Sequence, residues 1–253
     1  MIINLPKIIG HRGVRDLVPE NTMHSIKEAV KYNVKWIEVD VKISKDNIPF
    51  LLHDNFLDRT TSGQGYPYDF TYKEINNLDA GSWFNNFFSF VYPPTLEEVL
   101  VYCSEKKIGL NIELKPNKGK EKENIEAVSY LLKKKKFDLQ YFISSFDYLS
   151  LKLIRDKMKN VSIGYLIDNF NEKKNLISII EDCFHLKCFA IGFNIKLVNK
   201  KLIINCKEKN LKIMVFSNKN ISYKIALKLW NMGVDSIFID NPIFYKKILN
   251  IRY

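Results

Sequence analysis

Along most of the chain, apolar residues arrive in short, almost unbroken runs, separated by longer segments in which apolar positions recur every three or four residues. The runs predict strands at Lys7–Gly10, Trp36–Ser44, Gly109–Leu114, Tyr141–Ser145, Val161–Ile167, Phe189–Phe193, Lys212–Phe216 and Ser236–Asp240. The intervening spacing predicts amphipathic helices, among them Asn21–Tyr32, Thr95–Lys107, Lys122–Lys136 and Ser222–Trp230. Apolar strands alternating with helices imply a parallel sheet, and eight of them favour the α/β architecture of a closed (β/α)8 TIM barrel. The competing open, doubly wound sheet usually announces itself by a glycine-rich phosphate turn after the first strand. Here GHRGVR does not supply GxGxxG.

One stretch breaks the rhythm. Residues 55–94 are too long for an ordinary loop and lack the periodicity of a core element. They carry Phe56, Tyr66, Tyr68, Phe70, Tyr72, Trp83, Phe84, Phe87, Phe88, Phe90 and Tyr92, a third of all the aromatic residues. We expect a small aromatic-rich insertion after strand 2 that packs on itself as a cap. It would lie at the carboxyl ends of the strands, where such barrels keep their active sites.

Composition changes the picture little. A chain of 253 residues, 46% hydrophobic, can bury one sizeable core, so a single domain over 1–253 is expected, with the 55–94 cap inside it. No run of about 18 apolar residues predicts a membrane span. The start, MIINLPKIIG, does not have the layout of a secretory signal, and Cys103, Cys183, Cys188 and Cys206 show no CxxC spacing. A reduced, cytoplasmic protein is the expectation. The net charge of +11 is uneven: residues 1–116 hold 13 Lys/Arg against 15 Asp/Glu, and 117–253 hold 26 against 13. A basic half can mark nucleic acid or an anionic surface, but no nucleic-acid module accompanies it, so solvent-facing lysine is the preferred account and no nucleic-acid partner is expected.

Chemistry collects at predicted strand ends. In WIEVDVK, Glu38 and Asp40 stand two apart and project from one face, while Ile37, Val39 and Val41 bury the other. Glu113 in GLNIELK takes the equivalent place on the following strand. Three convergent carboxylates without histidine or cysteine suit a hard divalent cation, Mg²⁺ or Ca²⁺. SKDNIPFLLHD reads as strand, Asp46–Asn47 turn, strand; with a two-residue turn, facing residues sum to 93, which sets His53 opposite Asp40. His11, in GHRG after the first strand, would face His53 across a substrate as the other half of an acid–base pair. Arg12 offers a planar fork for phosphate oxygens and Lys115 a further cation. His24 and His185 have no comparable setting. Acid, base, cation and guanidinium around one anionic centre describe phosphodiester cleavage.

The segments GHRG, PENT (Pro19–Thr22), IEVDV, LLHD, NIELKP, LDAGSWF, PTLEEVL, SSF and GVDSIFIDNP occur in this order. In them the chain resembles the glycerophosphodiester phosphodiesterase family, and most of all its short cytosolic bacterial members. The resemblance implies a TIM barrel with an insertion after strand 2. It implies hydrolysis of a small-molecule glycerophosphodiester, such as glycerophosphocholine or glycerophosphoethanolamine, to glycerol 3-phosphate and an alcohol. By matching motif, His11 and His53 become the acid–base pair, Glu38, Asp40 and Glu113 the metal ligands, and Arg12 and Lys115 the phosphate contacts. Glu20 and Asn21 would shape the first loop. Relatives often carry an aromatic-Thr-Val-Asn run after strand 7, where this chain has a shorter VFSNK; Phe216 is expected to line the glycerol pocket. The alternative is a lysophospholipase D-like enzyme acting on a lipid-tailed phosphodiester. A homodimer is compatible with either reading.

Overall fold

The computed structural model describes residues 3–171 and 174–250. All eight predicted strands form: β1 (Ile8–Gly10), β2 (Trp36–Ile43), β4 (Gly109–Leu114), β5 (Tyr141–Ser145), β6 (Ile163–Ile167), β7 (Ala190–Asn194), β8 (Lys212–Phe216) and β9 (Ser236–Ile239). They pair in parallel around a ring, β1-β9-β8-β7-β6-β5-β4-β2, which the β1–β2 contact of Gly10 with Ile37 closes. This is the expected (β/α)8 barrel. Helices connect the strands: α1 (Met23–Lys31), α3 (Leu96–Lys106), α4 (Glu121–Lys134), α5 (Tyr148–Lys157), α6 (Leu176–His185), α7 (Lys200–Glu208) and α8 (Tyr223–Met232). Their starts are written in the sequence. Thr22, Thr95 and Ser222 each cap a helix by accepting an amide hydrogen bond, and Glu98 completes a capping box with Thr95.

The strand β3 (Pro49–Leu51) runs antiparallel to β2, but its register corrects the expectation. Val41 faces Leu51 and Ile43 faces Pro49, so facing residues sum to 92, and Leu52 donates its amide to Asp40. The turn contains Lys45, Asp46 and Asn47; Asn47 donates back to Ser44 and takes a left-handed φ of 59°. A type I turn followed by a left-handed residue is a favoured three-residue hairpin, and it displaces the ladder by one position. His53 therefore does not pair with Asp40 in the sheet. It leaves the ladder instead.

Residues 55–94 fold into an irregular segment with the single-turn helix α2 (Tyr72–Ile75) and two 3-10 turns. Leu57 and Ile75 are fully buried there with Phe50 and Leu52, and Phe70, Tyr72 and Leu78 pack against them. A last short helix, α9 (Lys246–Leu249), follows β9.

Side-chain alternation divides the barrel wall into two apolar layers. Ile37, Val39, Val41, Leu110 and Ile112 face outward and pack with the helices. Ile9, Trp36, Phe142, Met214 and Phe238 face inward and fill the lower half of the barrel. Trp36 is the largest of these plugs. Gly109, paired with it across β2 and β4, leaves it room: a Cβ there would lie 2.2 Å from the indole. Above this floor the inward positions turn polar. Because removing the largest plug leaves a cavity in this layer, Trp36→Ala is expected to destabilise the fold by about 3–5 kcal/mol, read as a lower urea midpoint at unchanged slope.

Candidate active site

The inward polar layer begins with His11, one residue past β1. Its amide donates to Ile239 and its Nδ1 lies 2.8 Å from the Asp240 carboxylate. Asp240 follows β9 directly and is buried; burial alone would raise its pKa, yet it is lowered, because the His11 and Arg15 contacts outweigh burial. A carboxylate at that distance accepts, so Nδ1 carries the proton and Nε2 is left to the cavity. Arg15 Nε adds a 2.7 Å contact to the same carboxylate. The Asp240 amide donates to Asn220. Burial lowers the His11 pKa.

Arg12 and Gly13 then turn the chain through the left-handed region, at φ of 51° and 86°. A Cβ on Gly13 would fall 2.3 Å from Ser25 Oγ and 2.7 Å from the Ser25 backbone, so the loop packs on α1 only with glycine there. Arg12 is buried. Its amide donates to Glu38 at 2.8 Å, its Nη1 to Glu20 at 2.6 Å, and its Nε sits 3.2 Å from Asp40. Asn21, also left-handed at 53°, clamps Asp40 twice: Nδ2 donates to the carboxylate at 2.8 Å and Oδ1 accepts the Asp40 amide at 3.1 Å.

Glu38, Asp40 and Glu113 come together as the two strands pair, with Asp40 level with Glu113. Each offers an oxygen within 4.8 Å of the others, and all three are buried. Burial and the two neighbouring acids raise the Glu38 pKa well above the carboxylate range, and burial raises that of Glu113 against the pull of Lys115. Asp40 is held well below its ordinary value; burial opposes this, but Lys115 and Arg12 prevail. Lys115 Nζ lies 2.9 Å from Glu113 and 3.3 Å from Asp40. Glu38 Oε1 is buried with no hydrogen-bond partner. An orphan oxygen in an all-carboxylate trio is what a hard cation needs, so the donor set fits one.

His53 reaches the same cavity from beyond β3. Its Nδ1 is 2.6 Å from Asp54, which Arg59 grips through Nε at 2.6 Å and Nη2 at 3.0 Å. Arg59 also reaches Glu20 at 2.7 Å, and Glu20 holds Arg12. One chain of charge thus links the loops that carry the two histidines. The cavity, of about 430 Å³, is lined by His11, Arg12, Glu38, His53, Glu113 and Lys115 on one side, and by Ser145, Phe146, Leu166, Asp168 and Phe216 beyond them. Phe216 ends β8 and meets Phe146 edge-on at 5.3 Å. Every predicted site residue is thus at or beside this cavity, with Glu20, Asn21 and Asp40 in its supporting wall. His24 and His185 are on the surface.

Sequence reasoning missed Asp240, Asp54, Arg59 and Arg15. Asp54 and Asp240 stood inside the quoted LLHD and FIDNP, but only folding shows that they meet histidines. Nothing in the sequence marked Arg59.

Residues 11–243 match the Glycerophosphoryl diester phosphodiesterase family. The chain belongs to that family and is an enzyme of its class, a phosphoric diester hydrolase. A glycerophosphodiester phosphodiesterase of Caldanaerobacter subterraneus is 32% identical over 93% of this chain and 94% of its own length. One from Bacillus subtilis is 31% identical over 95% of this chain and 85% of its own. The solved structure of an Oleispira antarctica phosphodiesterase, in complex with the product sn-glycerol-3-phosphate, superposes with a TM-score of 0.89 at 33% identity, covering 98% of both chains.

The histidines make folding stability depend on pH. Burial pushes His53 down to about 4 from its ordinary 6.5, against the attraction of Asp40. Between these values the unfolded chain binds a proton that the folded chain refuses, so the His53 contribution to stability rises with pH across the window and is fully present above 6.5. The raised Glu38 and Glu113 act in the opposite sense, because the folded chain keeps protons there that the unfolded chain releases, so the histidine is read as a difference. With urea midpoints measured in chelator, the change in stability across that window should be less positive in His53→Gln than in the native protein, and identical profiles would contradict a buried neutral imidazole.

Proposed function

We propose that the enzyme hydrolyses glycerophosphodiesters such as glycerophosphocholine or glycerophosphoethanolamine to glycerol 3-phosphate and the free alcohol by His11/His53 acid–base catalysis. One observation carries this reading: two imidazoles, each held at Nδ1 by a carboxylate, line a single cavity beside three buried acids. Each presents Nε2 with its tautomer fixed. One imidazole takes the proton of the glycerol 2-hydroxyl as that oxygen forms its bond to phosphorus. The other enters the step as an imidazolium with a second proton at Nε2 and gives that proton to the departing alcohol oxygen as the original ester bond breaks. In the second half the roles reverse: water adds to phosphorus, the ring P–O bond breaks, and the 2-hydroxyl regains its proton. Arg12 and Lys115 present positive charge to the phosphate oxygens. Glu38, Asp40 and Glu113 would hold Mg²⁺ or Ca²⁺, which supplies charge neutralisation to the phosphate when bound. Glu20 and Asn21 hold Arg12 and Asp40 in place, and Phe216 lines the organic end of the cavity.

We read residues 1–253 as one domain whose 55–94 insertion caps the site, since Arg59 of the insertion clamps Asp54 and Glu20. Four free cysteines accord with a cytoplasmic enzyme. A lipid-tailed diester is the second reading, favoured by the aromatic side chains that the insertion leaves exposed.

Glycerol 3-phosphate release should be measured across several headgroups, beside release of the acylated product from a lysophospholipid. His11→Ala and His53→Ala are each expected to lower kcat by about 10²–10⁴-fold. Chelation should abolish turnover and added Mg²⁺ or Ca²⁺ restore it. Undiminished turnover in both variants would refute the assignment.

A further inference from the structure

The insertion ends in a feature that the hydrolytic site does not use. Phe87 and Phe90 are 94% and 90% exposed, three residues apart at the tip of one loop. Phe90 sits at φ 65°, a left-handed conformation that a bulky side chain rarely adopts. The loop is built to keep it there. The Asp79 carboxylate accepts from the amides of Gly81, Ser82 and Phe90 at 2.8, 2.9 and 3.1 Å, and from the Ser82 hydroxyl at 2.6 Å. Those contacts hold the Asp79 pKa down at about 2, against burial. A fixed turn that spends backbone strain to project two phenylalanines into water has no folding rationale of its own.

The surroundings of the loop say what covers it. Phe88 meets the His24 ring at 6.0 Å, so the loop lies along α1. That helix exposes Lys27 and Lys31 four residues apart beside the aromatics, with Glu28 as the acid paired to Lys31 at 2.6 Å; His24, whose pKa burial and the two lysines lower, adds an aromatic ring to the same stripe. Arg59 lies 5.9 Å from the Trp83 ring at the other edge of the loop. Aromatic side chains interleaved with cations suit an anionic lipid–water boundary. The position is apt, because Arg59 also holds Asp54, the partner of His53. We propose that residues 83–90 and the basic stripe of α1 form an interfacial anchor that seats the mouth of the barrel on an anionic lipid surface. The enzyme then meets its substrate at the boundary where lipid breakdown releases it.

Vesicle binding needs no turnover, so its outcome is separate from that of the hydrolytic reading. Purified full-length protein should co-sediment with vesicles of equal parts phosphatidylglycerol and phosphatidylcholine, less with pure phosphatidylcholine, and less again as salt is raised. The double variant F87S/F90N should bind the anionic vesicles at least about tenfold more weakly. Asparagine tolerates the left-handed turn, so thermal stability and turnover of a soluble diester should be retained. Absence of native binding, equal binding to both lipid mixtures, or undiminished binding by the variant would overturn the proposal. So would loss of soluble turnover in the variant, which would assign the aromatics to the site. A native dimer that the variant abolishes would equally overturn it by showing that a second copy covers the loop.

Discussion

Everything at the mouth of this barrel depends on keeping one carboxylate charged inside protein. Asp40 is 1% exposed and receives Asn21 at 2.8 Å, Arg12 at 3.2 Å and Lys115 at 3.3 Å. Burying a charge without such partners would cost several kcal/mol, on the order seen for unpaired buried ions. Its partners arrive from two loops, Arg12 and Asn21 from the one after β1 and Lys115 from the one after β4, so the ion cluster fixes where β1, β2 and β4 deliver their side chains. The two neighbouring acids have weaker support, and their pKa values rise accordingly. A site with more acid than its own cations can neutralise is poised for an external one.

The first loop shows how sequence converts into that geometry. Between His11 and Thr22 the chain must place a guanidinium under the acids, an imidazole beside Asp240 and an amide across Asp40. It does so through three left-handed residues, Arg12, Gly13 and Asn21. Glycine and asparagine take such conformations readily, whereas an arginine does so only because Glu20, Glu38 and Asp40 hold both ends of it. Strain, buried charge and the catalytic candidates coincide in one short segment.

The barrel was legible because parallel strands buried on both faces leave apolar runs that helical spacing cannot imitate. Glu38, Asp40 and Glu113 were legible because period-two alternation decides facing directly. His53 shows the limit of such counting. A third turn residue, made tolerable by Asn47 in the left-handed region, moved the ladder by one place, and His53 reached the cavity only by leaving it. Asp240 and Arg59 lay beyond pattern altogether, since their roles depend on partners 229 and 39 residues away. Long-range pairs of charged side chains carry no local period to read.

Lys42 carries a different lesson. It is fully buried on the same face as Glu38 and Asp40, with its pKa pushed down to about 8 by burial and by Lys115. Its ammonium donates to the Lys115 carbonyl at 2.7 Å and to Asn55 at 3.4 Å, while Asn117 donates to the Asn55 carbonyl at 2.9 Å. The root of the insertion is thereby stapled to the segment after β4. Anyone transplanting insertions between relatives to change selectivity would have to carry this trio as a unit, because a graft lacking it would unmoor Lys115 along with the cap.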